Sequence, residues 1–241
     1  MAIGPDRRTM THTGVRTAEI DAGLRSYMLR VYNYMALGVA FTGAIAMFVA
    51  TNPTLVQFVA TYFWLFFIGI LGLGWFAPKI MISKSVGAAQ LCFWVYAAMW
   101  GAVIGPMLYV YGQIDPMLVP KAFFITAGAF AGMSLVGYTT KKNLAPLGAF
   151  FTMATIGILI ALLLNVFLIQ SQGLDLVLTI IVILVFSGLT AYETQMIKNM
   201  YYEADGGDVA TRKAIFGAFL LYGSFVTLFV WILHLLGMMR E

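Results

Sequence analysis

The sequence predicts an all-α integral membrane protein of seven transmembrane helices, with the last helix buried among the others. Three observations lead there. Of 241 residues, 61% are hydrophobic and only 10% charged, against roughly a quarter charged in an average soluble protein. Apolar stretches of about 20 residues, each long enough to cross a hydrocarbon core as a helix, recur at 31–51, 54–77, 87–110, 119–138, 145–169, 176–197 and 214–237. Their apolarity is continuous and lacks the alternation of barrel strands. Since the backbone must satisfy its own hydrogen bonds in lipid, the spans are helices.

Taken in order, residues 1–30 contain no apolar core and no small-residue cleavage site, so they read as a cytosolic tail and not as a cleaved secretory signal. Within that tail, Glu19 to Arg30 has the composition of a short amphipathic helix on the membrane surface. Residues 31–238 form one membrane domain, because the loops are too short for a soluble one. Spans two to four carry many glycines, as in "GILGLGW" and "FITAGAFAGMSLVG", which allow close helix approach. At 100° per residue, Lys213, Gly217, Leu220, Ser224, Thr227, Trp231 and His234 form one stripe on span seven. Small and polar residues on a membrane helix mark a face turned toward other helices. His234 on that stripe stands either as a tether at the outer interface or as a group that titrates near neutral pH.

Charge orients the bundle. With a cytosolic N-terminus, Arg7, Arg8, Arg16, Arg25, Arg30, Lys79, Lys84, Lys141, Lys142, Lys198, Arg212 and Lys213 all fall on the cytosolic side, and only Lys121 and Arg240 outside. That asymmetry, in short loops, is the positive-inside pattern. The C-terminus is then external. The basic residues form no patch, so nucleic acid is not an expected partner; membrane lipid is. Asp115 and Asp175, in the external loops "YGQIDPML" and "QSQGLD", are either solvated carboxylates or attractors of cations at an outer mouth.

Glu193 lies about one and a half turns inside the cytosolic end of span six. A carboxylate at that depth is costly unless it snorkels, meets water or pairs with a base, and it is a functional candidate by default. Lys79 is the first candidate counter-ion and Lys142 the second; a bland pairing with Lys198 is the alternative. Catalytic chemistry finds little support. Ser187 has no suitably placed histidine, no aspartate lies within a span, and "EADGGD" at 203–208 lacks the spacing of a calcium loop. The single cysteine, Cys92, permits neither a disulfide nor a cysteine metal site within one chain. No cofactor is expected.

The stretch "FSGLTAYETQMIKNMY" on span six, with "VYNYMALGVAFTGAIA" on span one and "AFLLYGSFVTLFVWILHLLG" on span seven, resembles the Bax inhibitor-1-like family, also called the transmembrane Bax inhibitor motif family. The resemblance covers all seven spans. It implies a fold with the last helix central and a pH-sensitive calcium leak, in which Ca²⁺ is the transported ion and two carboxylates on spans six and seven share a proton or basic partner. Glu193 matches the first and would be the cation ligand. The second falls on Ser224, and a neighbouring family asparagine on Thr227, so the usual carboxylate pair is broken. Some bacterial relatives are thought to bind a membrane-embedded ATP-dependent protease, which makes a protein-binding modulator the alternative reading. Short loops and a basic tail suit a bacterial inner membrane.

The charge asymmetry generates a test. A topology reporter fused after Glu241 should report the external side and one inserted after Gly206 the cytosol; both on one side would refute seven spans.

Overall fold

The computed structural model describes the backbone of residues 7–240 and the side chains of residues 22–240. The side chains of Arg7, Arg8, His12, Arg16 and Glu19 lie outside the described residues. The elements are α1 (Arg7–Ala50), α2 (Pro53–Thr61), α3 (Phe63–Ser83), α4 (Val86–Ile114), α5 (Leu118–Thr139), α6 (Leu147–Leu164) with a π-helical turn at Asn165–Ile169, α7 (Gln172–Asn199) and α8 (Gly207–Met238). Seven of these segments are long and apolar enough to cross a membrane, as the hydropathy pattern predicts.

Two boundaries differ from the sequence reading. The stretch 54–77 is not one helix: Asn52 caps α2 by accepting from the Thr54 and Leu55 N–H groups at 3.0 and 3.4 Å, and Tyr62, with φ −99° and ψ 21°, ends it. The Tyr62 carbonyl then accepts from Leu65 and Phe66 and starts α3. Phe58 covers the joint, its ring 4.9 Å from Tyr62 and 6.5 Å from Phe66. Apolarity runs unbroken across this corner, so hydropathy cannot register it. At the other end, Glu19–Arg30 is no separate surface helix, because α1 continues through it without a break.

The centre of the bundle is α8. In its membrane-crossing part 67% is buried, against 39% or less in every other span, and it packs against α1, α3, α4, α5 and α7. Hydrocarbon gives helices no hydrophobic reason to associate, so close van der Waals approach and internal hydrogen bonds must do it. Both are present. On α4, Gly101 and Gly105 form a small-xxx-small face against α1; a Cβ on Gly101 would stand 2.9 Å from the Thr42 carbonyl oxygen, and one on Gly105 3.2 Å from that of Ala46. At the same level the fully buried Tyr222 donates to Thr42 at 2.7 Å, and Thr42 donates onward to the Ala97 carbonyl at 3.0 Å. That chain locks α8, α1 and α4 together. A second chain crosses α1, α5 and α7: Tyr32 bonds Ser134, Ser134 bonds Thr194 at 3.0 Å, and Thr194 donates to the Thr190 carbonyl at 2.8 Å.

All nine described basic residues of the predicted cytosolic set, from Arg25 to Lys213, fall at one end of the bundle, called the basic end below. Several close loops there. Arg212 donates to the Ile82 and Lys84 carbonyls, both at 2.8 Å, and ties α8 to the α3–α4 turn. Lys213 pairs with Asp205 and donates to the Met200 carbonyl at 3.1 Å.

The tightest backbone approach joins α5 to α7, where a Cβ on Gly137 would overlap the carbonyl oxygen of Ala191. Gly128 on the same helix has open space. Gly137→Ala should therefore lower stability by roughly 1–3 kcal/mol, the cost of overpacking, while Gly128→Ala stays within about 0.5 kcal/mol of the parent. Thermal unfolding of both variants in one detergent checks the difference.

Candidate functional site

Glu193 sits on the face of α7 that packs against α8, and only 7% of it is exposed. Ser224, 2% exposed, donates to its Oε2 from α8 at 2.6 Å. The register of α7 is set one residue further on, where Thr194 enters the hydroxyl chain to α5 and α1. The two residues aligned by family resemblance are thus brought into direct contact across the central helix packing.

The proposed counter-ions are not brought there. Among the described residues no basic nitrogen lies within 4.0 Å of Glu193. Lys79 and Lys142 are both exposed at the basic end, beyond the level at which Glu193 turns inward. Their observed roles are backbone ones: the Lys79 carbonyl accepts from Ser83 at 2.6 Å, and the Lys142 carbonyl accepts from Gln195 at 2.9 Å. Lys198 is equally occupied, donating to the Tyr138 carbonyl at 2.9 Å with its nitrogen 5.0 Å from the centre of that ring. Glu193 relies on a hydroxyl, not a cation.

A cavity of about 710 Å³ opens beside this pair, walled by α3, α4, α6, α7 and α8. Glu193, Ser224 and Thr227 line it near the basic end, and Asp175 lines it at the other. The two carboxylates are 18 residues apart on α7, about 27 Å along a helix axis at 1.5 Å per residue, so the cavity extends over most of a hydrocarbon core. Among the described residues lining it none is Lys, Arg or His. Four of the chain's five tryptophans, Trp64, Trp75, Trp100 and Trp231, line the walls. The cavity they border depends on which helix faces meet, and no spacing along one segment reports that.

At the far end the two loop aspartates part company. Asp175, in the first turn of α7, favours the helix N-terminus and pairs with His234 Nε2 at 2.9 Å, while Tyr111 bonds His234 Nδ1 at 3.1 Å. His234 is tethered between α4 and α7. Asp115 does not line the cavity. It organises the α4–α5 loop, accepting from the Met117 N–H at 2.8 Å and pairing with Lys121 at 3.5 Å and Arg240 at 3.3 Å. The Met117 N–H, then the two bases, hold its carboxyl below the ordinary aspartate range.

Among the described residues no group of three or more His, Cys, Asp or Glu side chains converges to hold a metal. Glu193 is accordingly not part of a preformed metal centre.

Comparison with known proteins shows the family. A family model described as inhibitor of apoptosis-promoting Bax1 matches residues 24–241. An uncharacterised protein of Rickettsia prowazekii is 37% identical, covering 97% of this chain and 98% of its own length. The inner membrane protein YbhL of Escherichia coli is 35% identical, covering 91% of this chain and 94% of its own. A Caulobacter vibrioides protein is 36% identical over 92% of both chains. With seven membrane-crossing helices packed around a central last one, and a family match running from the first span to the C-terminus, this chain is a membrane protein of the Bax inhibitor-1 family.

Proposed function

We propose that the protein is a passive cation leak of a bacterial inner membrane, with Ca²⁺ as the transported ion and the basic end in the cytosol. The observation that carries this reading is the single cavity bordered by Asp175 at one end and Glu193 at the other, with no basic side chain on its described walls. A cation entering it meets two carboxylates and no repelling charge. Ser224 adds a hydroxyl oxygen beside Glu193 and Thr227 another on the cavity wall, and oxygen is the ligand type that Ca²⁺ takes. The inner-membrane setting is supported by the name of the E. coli relative.

Ser224 gives the leak its own character. Two carboxylates in contact titrate as a coupled pair, and their protonation biases helix packing. A hydroxyl in one of the two places removes that coupling, and Glu193 acts alone.

Calcium flux into protein-containing liposomes, measured against empty liposomes across pH 6–8, tests the proposal. The native protein should conduct above the empty-liposome background. Glu193→Gln, which keeps the shape and removes the charge, should reduce flux roughly tenfold, consistent with losing a contact to a charged group worth about 1.5–3 kcal/mol. Ser224→Asp should steepen the flux-versus-pH curve, with the low-pH form more conductive, while its thermal unfolding shows that it folds. Flux no greater than that of empty liposomes would sink the leak and leave a protein-binding modulator as the better reading.

A further inference from the structure

The ring of helices around α8 is not closed. Neighbours such as α3 and α4, α5 and α7, or α6 and α7 pack along their lengths, whereas α3 and α6 make no comparable approach, and the large cavity lies between them. Side chains that both line the cavity and are exposed on the outside mark its mouth. These are Phe63, 38% exposed, Trp64 and Leu71, each 44% exposed, and Trp75, 81% exposed, on α3, with Val166, 57% exposed, across the gap. Leu71 and Trp75 flank the midpoint of α3. A molecule using this mouth therefore arrives from the hydrocarbon phase, not from water. Toward the far end the gap is bridged by Trp64 stacked on Phe167, ring centres 5.4 Å apart and planes 24° apart.

The interior specifies what fits. Its walls are chiefly aliphatic and aromatic, which suits an alkyl chain or apolar ring system. The charged groups facing it are Asp175, already engaged by His234, and Glu193, whose partner is the Ser224 hydroxyl. Lys79, Lys142 and Lys198 do not line it. A carboxylate with no cation beside it, reached through a passage bordered by indole rings, selects for positive charge: the carboxylate by direct pairing, the indole faces by cation–π attraction.

We propose that this lateral cavity binds a membrane-dissolved lipophilic amine, its apolar body between α3 and α6 and its ammonium group on Glu193. The site does not depend on cation flux, so a protein that fails to conduct Ca²⁺ can still bind the amine, and the two readings stand or fall separately.

Tryptophan fluorescence reports on it directly, because of the five indoles only Trp94, packed on Phe41 and Phe93, does not line the cavity. The protein, in nanodiscs of zwitterionic lipid and with Trp75→Phe to remove the most lipid-exposed reporter, is titrated with a bromine-labelled long-chain primary amine. The alcohol and the carboxylate of the same chain serve as comparisons. The amine should quench saturably at a concentration at least tenfold lower than the alcohol, and the carboxylate should be weakest. Glu193→Gln should bring amine and alcohol to within about twofold of each other. Gly74 borders the cavity with its nearest neighbour, the Tyr96 hydroxyl, 3.9 Å from a Cβ position, so Gly74→Leu should fill space there and weaken all three. Equal, unsaturable quenching by amine and alcohol would mean simple partition into lipid and would overturn the proposal. So would an amine preference that survives in Glu193→Gln, or binding untouched by Gly74→Leu. The comparison of the three probes on the otherwise native chain keeps the test decisive even if a cavity variant does not fold.

Discussion

Hydrocarbon supplies no hydrogen-bond partners, and most of this structure follows from that constraint. Most polar side chains carried into the membrane find a partner on another helix or on their own backbone, although the buried Thr179 hydroxyl has none among the described residues. The partners concentrate around α8: Tyr222 on Thr42, which bonds onward to Ala97, Ser224 on Glu193, His234 on Asp175 and Tyr111. These bonds sit at successive levels of one helix and reach α1, α4 and α7. Once they are made, the rotation of α8 and its depth are both set, and small residues such as Gly217, which sits against Ile197 and Val31, let the surrounding helices close to contact distance.

The same constraint bears on Glu193. A carboxylate buried between two membrane helices is expensive, and a basic partner would be the direct remedy. The nearby lysines instead satisfy carbonyls at the ends of helices and in loops, where they cap chain turns. What remains for Glu193 is a hydroxyl from the central helix and the wall of a cavity. A carboxylate held in this way borders the cavity with no basic side chain on its described walls, which is the feature the proposed cation leak rests on. The hydroxyl chain from Tyr32 through Ser134 to Thr194 keeps α7 in the rotation that presents Glu193 inward.

At the other end of α7, charge is managed in the opposite way. Asp115 is fully engaged by the Met117 N–H, Lys121 and Arg240, so it serves loop geometry. Asp175 keeps one partner, His234, and still borders the cavity. The two aspartates look alike in sequence, each near a turn beside a glycine or proline. Their difference lies in where α4, α7 and α8 end relative to one another.

The helical, membrane-spanning class, the number of spans and the burial of the last helix were determined by the sequence, because they depend on apolar content, run length and a 3.6-residue stripe, all local quantities. Glu193 could likewise be singled out, since a carboxylate inside an apolar run is anomalous by itself. The corner at Tyr62 escaped because both sides of it are equally apolar. The partner of Glu193 needed more: family resemblance aligned Ser224 with it, but only the packing of α7 on α8 brought their oxygens to 2.6 Å and left Lys79 and Lys142 facing outward. The cavity, its mouth between α3 and α6 and its four tryptophans belong to the tertiary structure alone. A void is a property of surfaces that do not meet, and each of its walls comes from a different stretch of chain.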